Sequence, residues 1–318
     1  MSKNTPDYPA YATMLPISPG EREREAALRE RFARFWAAAG GNLRATYDDF
    51  IAATPLADGV VVEQVATHDV QGWWIRPAEG ARERAMLYLH GGGYVLGSAQ
   101  AYRGFVSQLV ARTGVPALVI DYPLAPEATL PAAPEAALAA WRWLQAIGFR
   151  RVAIAGDSAG GGLALVTLAQ LATLAPPDQQ PVAGLVFSPW TDLAFGGASM
   201  TDPGIHDPLI GHDYLRDCAE RYLGAFAATA PLASPLHGEL RGLPPLLIQV
   251  GTDERLLDDA RAYARRAVDA GVPVQLEIWE GMHHVFQLDL AHIDSSQRAL
   301  DRAARFVRDA FQPQPVHS

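Results

Sequence analysis

The segment Ile154-Ala155-Gly156-Asp157-Ser158-Ala159-Gly160 is the strongest constraint on how this chain folds. An apolar, β-branched run leads into Gly-x-Ser-x-Gly, and a helix-forming run leads away from it. A serine hydroxyl is a weak nucleophile at its free pKa and needs exposure, orientation and a neighbouring base. A tight strand-to-helix turn supplies the first two, lifting the side chain out of the sheet and aiming the next backbone N–H at the same point. Gly156 and Gly160 tolerate that turn and the close backbone approach it forces. Five residues of this kind are common by themselves. Their setting between strand and helix gives them weight.

The rest of the chain fits an α/β architecture. Apolar runs at residues 86–90, 116–121, 151–156, 181–187, 246–251 and 273–279 read as strands. Helical runs at 101–112, 134–147, 158–173, 257–270 and 295–310 alternate with them. Such alternation predicts a mainly parallel sheet covered on both faces. Residues 60–66 and 72–76 predict an added hairpin, and residues 1–20 an extended lead-in. From 21 to 39, Leu28, Phe32, Phe35 and Trp36 recur at helical spacing, and 46–53 adds a further turn or two. Residues 190–235 break the alternation with Gly, Pro and Asp around a predicted helix at 213–222. An insertion there lies above the carboxyl ends of the strands, where open α/β sheets place their sites.

Composition excludes several classes. The 318 residues are 49% hydrophobic and 19% charged, as in ordinary globular proteins. A formal net charge of −9 opposes non-specific nucleic-acid binding, which needs a basic face. The lone Cys218 cannot form an internal disulfide, and its helical setting predicts a structural thiol. Residues 1–7 carry no apolar core of a secretory signal, and no segment is apolar for long enough to span a bilayer. The expected location is the cytoplasm. No Gly-Lys-Ser/Thr follows Gly160-Gly161-Gly162, so a phosphate-binding loop is not expected, and no Cys/His spacing suggests zinc.

Three further segments turn the serine motif into a mechanism. His90-Gly91-Gly92-Gly93-Tyr94 ends a predicted strand, and its glycines bring backbone N–H groups close to a substrate. Gln249-Val250-Gly251-Thr252-Asp253-Glu254 ends another, placing an acid where it can orient a histidine. Asp253 is the expected acid because it comes first after the strand, with Glu254 its local competitor. Asp258 and Asp259 fall inside the next helix, where solvent exposure or a capping role is expected. Glu280-Gly281-Met282-His283-His284-Val285-Phe286 follows the last strand and offers two adjacent histidines, of which one can meet the serine. His68, His206, His212, His237, His292 and His317 read as surface or loop residues.

With these motifs in order, the chain resembles a bacterial member of the hormone-sensitive-lipase family of α/β-hydrolases. His90-Gly91-Gly92-Gly93, Gly156-Asp157-Ser158-Ala159-Gly160 and Gly281-Met282-His283-His284-Val285-Phe286 match its signatures. Asp121-Tyr122-Pro123-Leu124-Ala125-Pro126-Glu127, followed by Pro131-Ala132-Ala133, resembles a fourth. The likeness runs from about residue 70 to 300. It implies an α/β-hydrolase fold with a helical cap: residues 1–55 as an N-terminal cap segment, 56–318 as the catalytic domain, and a cap insertion at about 190–235. It implies the triad Ser158, Asp253 and His284, leaving His283 as a neighbour, and an oxyanion hole of the N–H groups of Gly92, Gly93 and Ala159. Pro123 stands where the family usually has arginine, which removes that arginine's ion pair from the surroundings of Glu127.

The expected activity is hydrolysis of short- to medium-chain carboxylic esters through an acyl-enzyme, without a metal or organic cofactor. Tyr94, Trp190, Leu209 and Phe35 are the expected pocket walls. Lactone or amide hydrolysis on the same triad is the alternative, since all three reactions share one tetrahedral intermediate. A non-catalytic small-molecule receptor of the same fold is the remote one, disfavoured because the chain keeps all three triad residues. The expected partner is a small ester. Neither nucleic acid nor a membrane span is expected, and a homodimer is left open.

Overall fold

Nine strands among the described residues form one sheet: β1 (Ala12–Leu15), β2 (Val60–Ala66), β3 (Gln71–Pro77), β4 (Arg84–Leu89), β5 (Ala117–Ile120), β6 (Arg151–Asp157), β7 (Ala183–Phe187), β8 (Leu246–Gly251) and β9 (Val274–Trp279). The computed structural model describes residues 9–38, 40–79 and 83–312, so the readings that fall on 1–7, Ala39 and His317 lie outside the described residues. Strand order is β1-β9-β8-β7-β6-β4-β5-β3-β2. Only β3 runs against its neighbours β2 and β5; the other pairs are parallel.

Eight α-helices accompany the sheet among the described residues: α1 (Pro19–Ala37), α2 (Leu43–Ala52), α3 (Arg103–Thr113), α4 (Ala132–Ala146), α5 (Ser158–Leu174), α6 (His212–Leu223), α7 (Leu257–Asp269) and α8 (Asp294–Ala310). Side chains of a strand alternate between faces, and in β4 this splits one run between two cores. Ala85, Leu87 and Leu89 join the core under α4, α5 and α7, while Met86 and Tyr88 join the core under α3 and α8. Both faces are thereby sealed, leaving the carboxyl ends of the strands as the place for a cleft. None of the described helices is long and apolar enough to cross a membrane.

The amino-terminal region departs from a simple lead-in. β1 adds a strand to the sheet, pairing parallel with β9 in the register Ala12↔Leu276 to Leu15↔Trp279. An open strand edge needs partners for its backbone groups, and four residues are too few to show a strand period in sequence. The segment expected as a cap therefore begins in the main sheet. α1 then starts at Ser18, whose hydroxyl accepts the N–H of Glu21 at 3.2 Å, with Pro19 at the first helical position. Its buried face carries Glu21 and Glu25 as well as Leu28 and Phe32.

β6 runs directly into α5 without a linker, and Ser158 takes the left-handed φ of 53° at the junction. A Cβ on Gly156 would lie 2.4 Å from the Gly160 carbonyl oxygen, and one on Gly160 would lie 2.1 Å from that of Leu89. Both glycines are required by close approach. The turn holds the serine at the sheet's carboxyl edge.

Candidate active site

Ser158, His284 and Glu254 form one hydrogen-bonded chain. Ser158 Oγ lies 2.9 Å from His284 Nε2, and His284 Nδ1 lies 3.2 Å from Glu254 Oε1. The second carboxylate oxygen of Glu254 accepts the Ser188 hydroxyl at 2.7 Å and the Gly251 N–H at 2.9 Å. Ser188 in turn accepts the N–H of Val285 at 3.1 Å, tying the acid to the histidine loop. Burial alone would lower the His284 pKa. The hydrogen bond and charge of Glu254, with Asp207 and Asp157 farther off, raise it above the ordinary imidazole value.

The expectation that Asp253 meets the imidazole is corrected by this geometry. Asp253 turns outward, its carboxylate taking Arg29 Nη2 at 3.0 Å, with its side chain 43% exposed. Its backbone N–H is held by the Met282 carbonyl, which fixes the turn with Glu254 facing inward. The extra methylene of glutamate spans the distance from one position later in the chain. Asp259, expected in solvent or as a cap of its own helix, is instead buried and accepts the N–H groups of Thr191 and Asp192 at 2.8 Å each. Burial pushes its carboxyl up to about 7. Asp258 accepts the Ser199 N–H at 2.9 Å.

Gly92 and Gly93 share a cavity of about 300 Å³ with Ser158 and His284, and Ala159 follows the serine in the first turn of α5. Among the described residues, the N–H groups of these three residues have no backbone acceptor outside regular structure. The glycine loop is pinned from below by Asp157. Its Oδ1 accepts the Tyr88 hydroxyl at 2.7 Å and the Gly91 N–H at 3.1 Å, and its Oδ2 accepts Tyr102 at 2.8 Å. Tyr102 also meets the hydroxyl of Tyr47, on the cavity wall, at 3.0 Å. Burial pushes the Asp157 carboxyl up to about 6, against the lowering effect of these hydrogen bonds. Tyr47, Tyr88 and Tyr102 share no spacing in the sequence that marks this network.

Of the four expected wall residues, Leu209 lines the cavity and three do not. Tyr94 is buried behind it, stacked on Tyr222 with centroids 3.8 Å apart. Trp190 is likewise enclosed in the core. Phe35 faces a separate cavity, and its neighbour Trp36 lines the catalytic one. The other walls come from α2 (Tyr47, Phe50, Ile51) and from Ile210, Tyr214 and Leu215. Asp207 shapes this last wall by accepting the N–H groups of Leu209 and Ile210 at 2.9 and 3.0 Å. Cys218 is buried in α6, where burial pushes its thiol up to about 11, the setting of a structural thiol.

Glu127 is ordered despite Pro123. Arg44 of α2 reaches it with two hydrogen bonds of 2.9 and 2.6 Å, and also donates to the carbonyls of Val95 and Ala125 at 2.9 Å each. An arginine distant in sequence thus grips the glycine loop and Glu127 together.

His283 does not touch the serine. It is fully buried, with Nδ1 3.0 Å from Glu25 of α1 and Nε2 2.9 Å from Asp289. Burial opposes its protonation, yet both carboxylates together raise its pKa to about 9. The imidazolium therefore fastens α1 to the body. Because the folded pKa lies above the free value, this stabilisation is full below about pH 6.5 and is lost as pH rises through about 9. His283→Ala leaves two carboxylates facing each other and should cost about 3–5 kcal/mol at pH 6. Urea unfolding at pH 6 and pH 10 checks this, since the penalty should shrink at the higher pH.

Among the described residues, no group of three or more His, Cys, Asp and Glu side chains is arranged to hold a metal ion. A profile of the α/β-hydrolase fold matches residues 86–288. An acetyl-hydrolase of Streptomyces hygroscopicus is 46% identical over 239 residues, covering 74% of this chain and 79% of that one. An esterase of Acinetobacter venetianus is 32% identical over 268 residues, covering 83% and 88%. The crystal structure of an esterase from the bacterial hormone-sensitive-lipase family superposes with a TM-score of 0.84 at 38% identity, covering 94% of this chain and all of that one. The crystal structure of EstE5 soaked with p-nitrophenyl butyrate superposes at 0.82 with 35% identity, covering 92% and 99%. The chain belongs to the α/β-hydrolase family, in its bacterial hormone-sensitive-lipase branch. It is a hydrolase.

Proposed function

We propose that this hydrolase cleaves short- to medium-chain carboxylic esters through an acyl-enzyme on Ser158. The 2.9 Å contact between Ser158 Oγ and His284 Nε2 carries the proposal, since it joins a nucleophile at a strained elbow to a base already oriented by a carboxylate. Ser158 attacks the acyl carbonyl while His284 takes its proton, and Glu254 balances the imidazolium that forms. The N–H groups of Gly92, Gly93 and Ala159 meet the oxygen that gains negative charge. Collapse expels the alcohol with the proton from His284. Water, deprotonated by the same nitrogen, then attacks the acyl-enzyme, releases the acid and restores Ser158.

The N-terminal helices and the 190–235 insertion act as a cap, supported by the walls they contribute to the cavity. The small apolar chamber and the acetyl-hydrolase and esterase names of the relatives favour short acyl groups. A cytoplasmic location fits a fold with one buried cysteine, and a homodimer is an assembly that sedimentation of the purified chain would detect. A panel of p-nitrophenyl esters from acetate to dodecanoate, with lactones and anilides alongside, tests the activity. Higher kcat/KM for the short esters than for every lactone and anilide is expected; preference for a lactone or anilide would overturn it. Because the base must be neutral and its pKa is raised, kcat/KM should climb with pH through an ionisation above about 6.5, the free imidazole value.

A further inference from the structure

We propose that Phe50 sets the substrate's chain length, as a removable stop between the catalytic chamber and a second apolar cavity. This rests on the ester-hydrolase reading above and names a residue that determines its specificity. The catalytic chamber, about 300 Å³, and a neighbouring cavity of about 520 Å³ share two residues in their walls, Phe50 and Leu288. Two of the three α1 rings packed around Phe50 are divided between the cavities. Trp36 lines the catalytic side and Phe35 the far side.

Phe50 stands between them, its ring centroid 5.4 Å from each and 5.3 Å from that of Phe32. A ring packed on three others cannot swing aside without losing those contacts. Leu288, the other shared wall, is anchored to the end of α2 by its carbonyl, which accepts the Thr54 hydroxyl at 3.2 Å. The partition is therefore a built aromatic layer rather than a loose side chain. Beyond it, the far cavity is lined by Leu28, Phe32, Phe35 and Leu290, with Arg31, Arg34, Asp49, Asp289 and His292 also on its walls. An alkyl chain that passed Phe50 would find apolar walls for several more methylenes. With Phe50 in place, chain atoms beyond the first chamber gain no contact.

Each methylene that an apolar pocket gains or loses changes kcat/KM by about ten-fold or more, so removal of the stop should be plainly visible. The chain that reaches Phe50 belongs either to the acid or to the alcohol of the ester. Two series separate these sources: p-nitrophenyl esters from acetate to decanoate, and alkyl acetates from ethyl to octyl.

In Phe50→Ala, the octanoate-to-acetate or the octyl-to-ethyl ratio of kcat/KM should rise by about ten-fold or more over wild type. Adding Ala53→Trp, which places a ring in the far cavity away from the catalytic chamber, should reverse the gain. A folded Phe50→Ala protein, with cooperative unfolding, that keeps the wild-type ratios in both series would overturn the proposal. So would a gain that Ala53→Trp leaves untouched. Should Phe50→Ala not fold, Phe50→Leu must shift a ratio in the same direction by a smaller factor, and unchanged ratios sink the idea equally. A wild-type protein inactive on every ester removes the function itself, whereas an active one with unchanged variant ratios removes only the role of Phe50.

Discussion

Ser158→Ala is expected to lower kcat on p-nitrophenyl butyrate by about a million-fold, as triad deletions in serine hydrolases do. The hydroxyl's hydrogen bond is to His284, so its loss should cost stability only the ~0.5–1.5 kcal/mol of one such contact. His284→Ala should match it in size, because the two groups act as a unit and their effects do not add. Rates are measured on protein purified from a host without background esterase, with the unfolding midpoint recorded alongside. Activity above a few per cent of wild type in Ser158→Ala would take the nucleophile's role away from it.

The next largest effect separates two neighbouring acids. Glu254→Gln should lower kcat by roughly ten-thousand-fold, by analogy with loss of a triad carboxylate. The amide keeps the shape of the side chain but sets an N–H group among donors, since Ser188, Gly251 and His284 all converge on the carboxylate. The imidazole then loses the partner that holds its tautomer. Asp253→Asn, by contrast, removes one half-exposed contact with Arg29, a surface pair worth about 0–1 kcal/mol, and should leave kcat within about two-fold. Steady-state kinetics of the two variants on one ester decide between them. A silent Glu254→Gln beside a crippled Asp253→Asn would restore Asp253 as the acid.

Why the sequence misled at that one position is physical. Strands, helices and the elbow are periodic or depend on glycines that only a tight turn requires, so a mainly parallel sheet and a serine at its edge were legible. The last motif offered His283 and His284 side by side, and the family resemblance pointed to His284. The acid lies in a turn, where successive side chains follow no period, and its direction depends on the hydrogen bond between Asp253 N–H and Met282, a residue 29 positions away in sequence. The pocket walls failed for a related reason. Whether Phe35 or Trp36 faces the cavity depends on how α1 is rotated against the body, and that is fixed by Glu25 meeting the buried His283. β1 was too short to declare itself, and Arg44 took over the support of Glu127 from a distance that no local motif spans.

The most direct measurement is mass spectrometry of the protein after reaction with a fluorophosphonate, followed by peptide mapping. An activated Ser158 should take up one phosphonyl group per chain, on the peptide that carries Gly156-Asp157-Ser158-Ala159-Gly160, in step with the loss of ester hydrolysis. In His284→Ala the same adduct should form far more slowly, because the proton acceptor is gone. Complete inactivation with Ser158 unmodified, or with the label on another residue, would contradict the account.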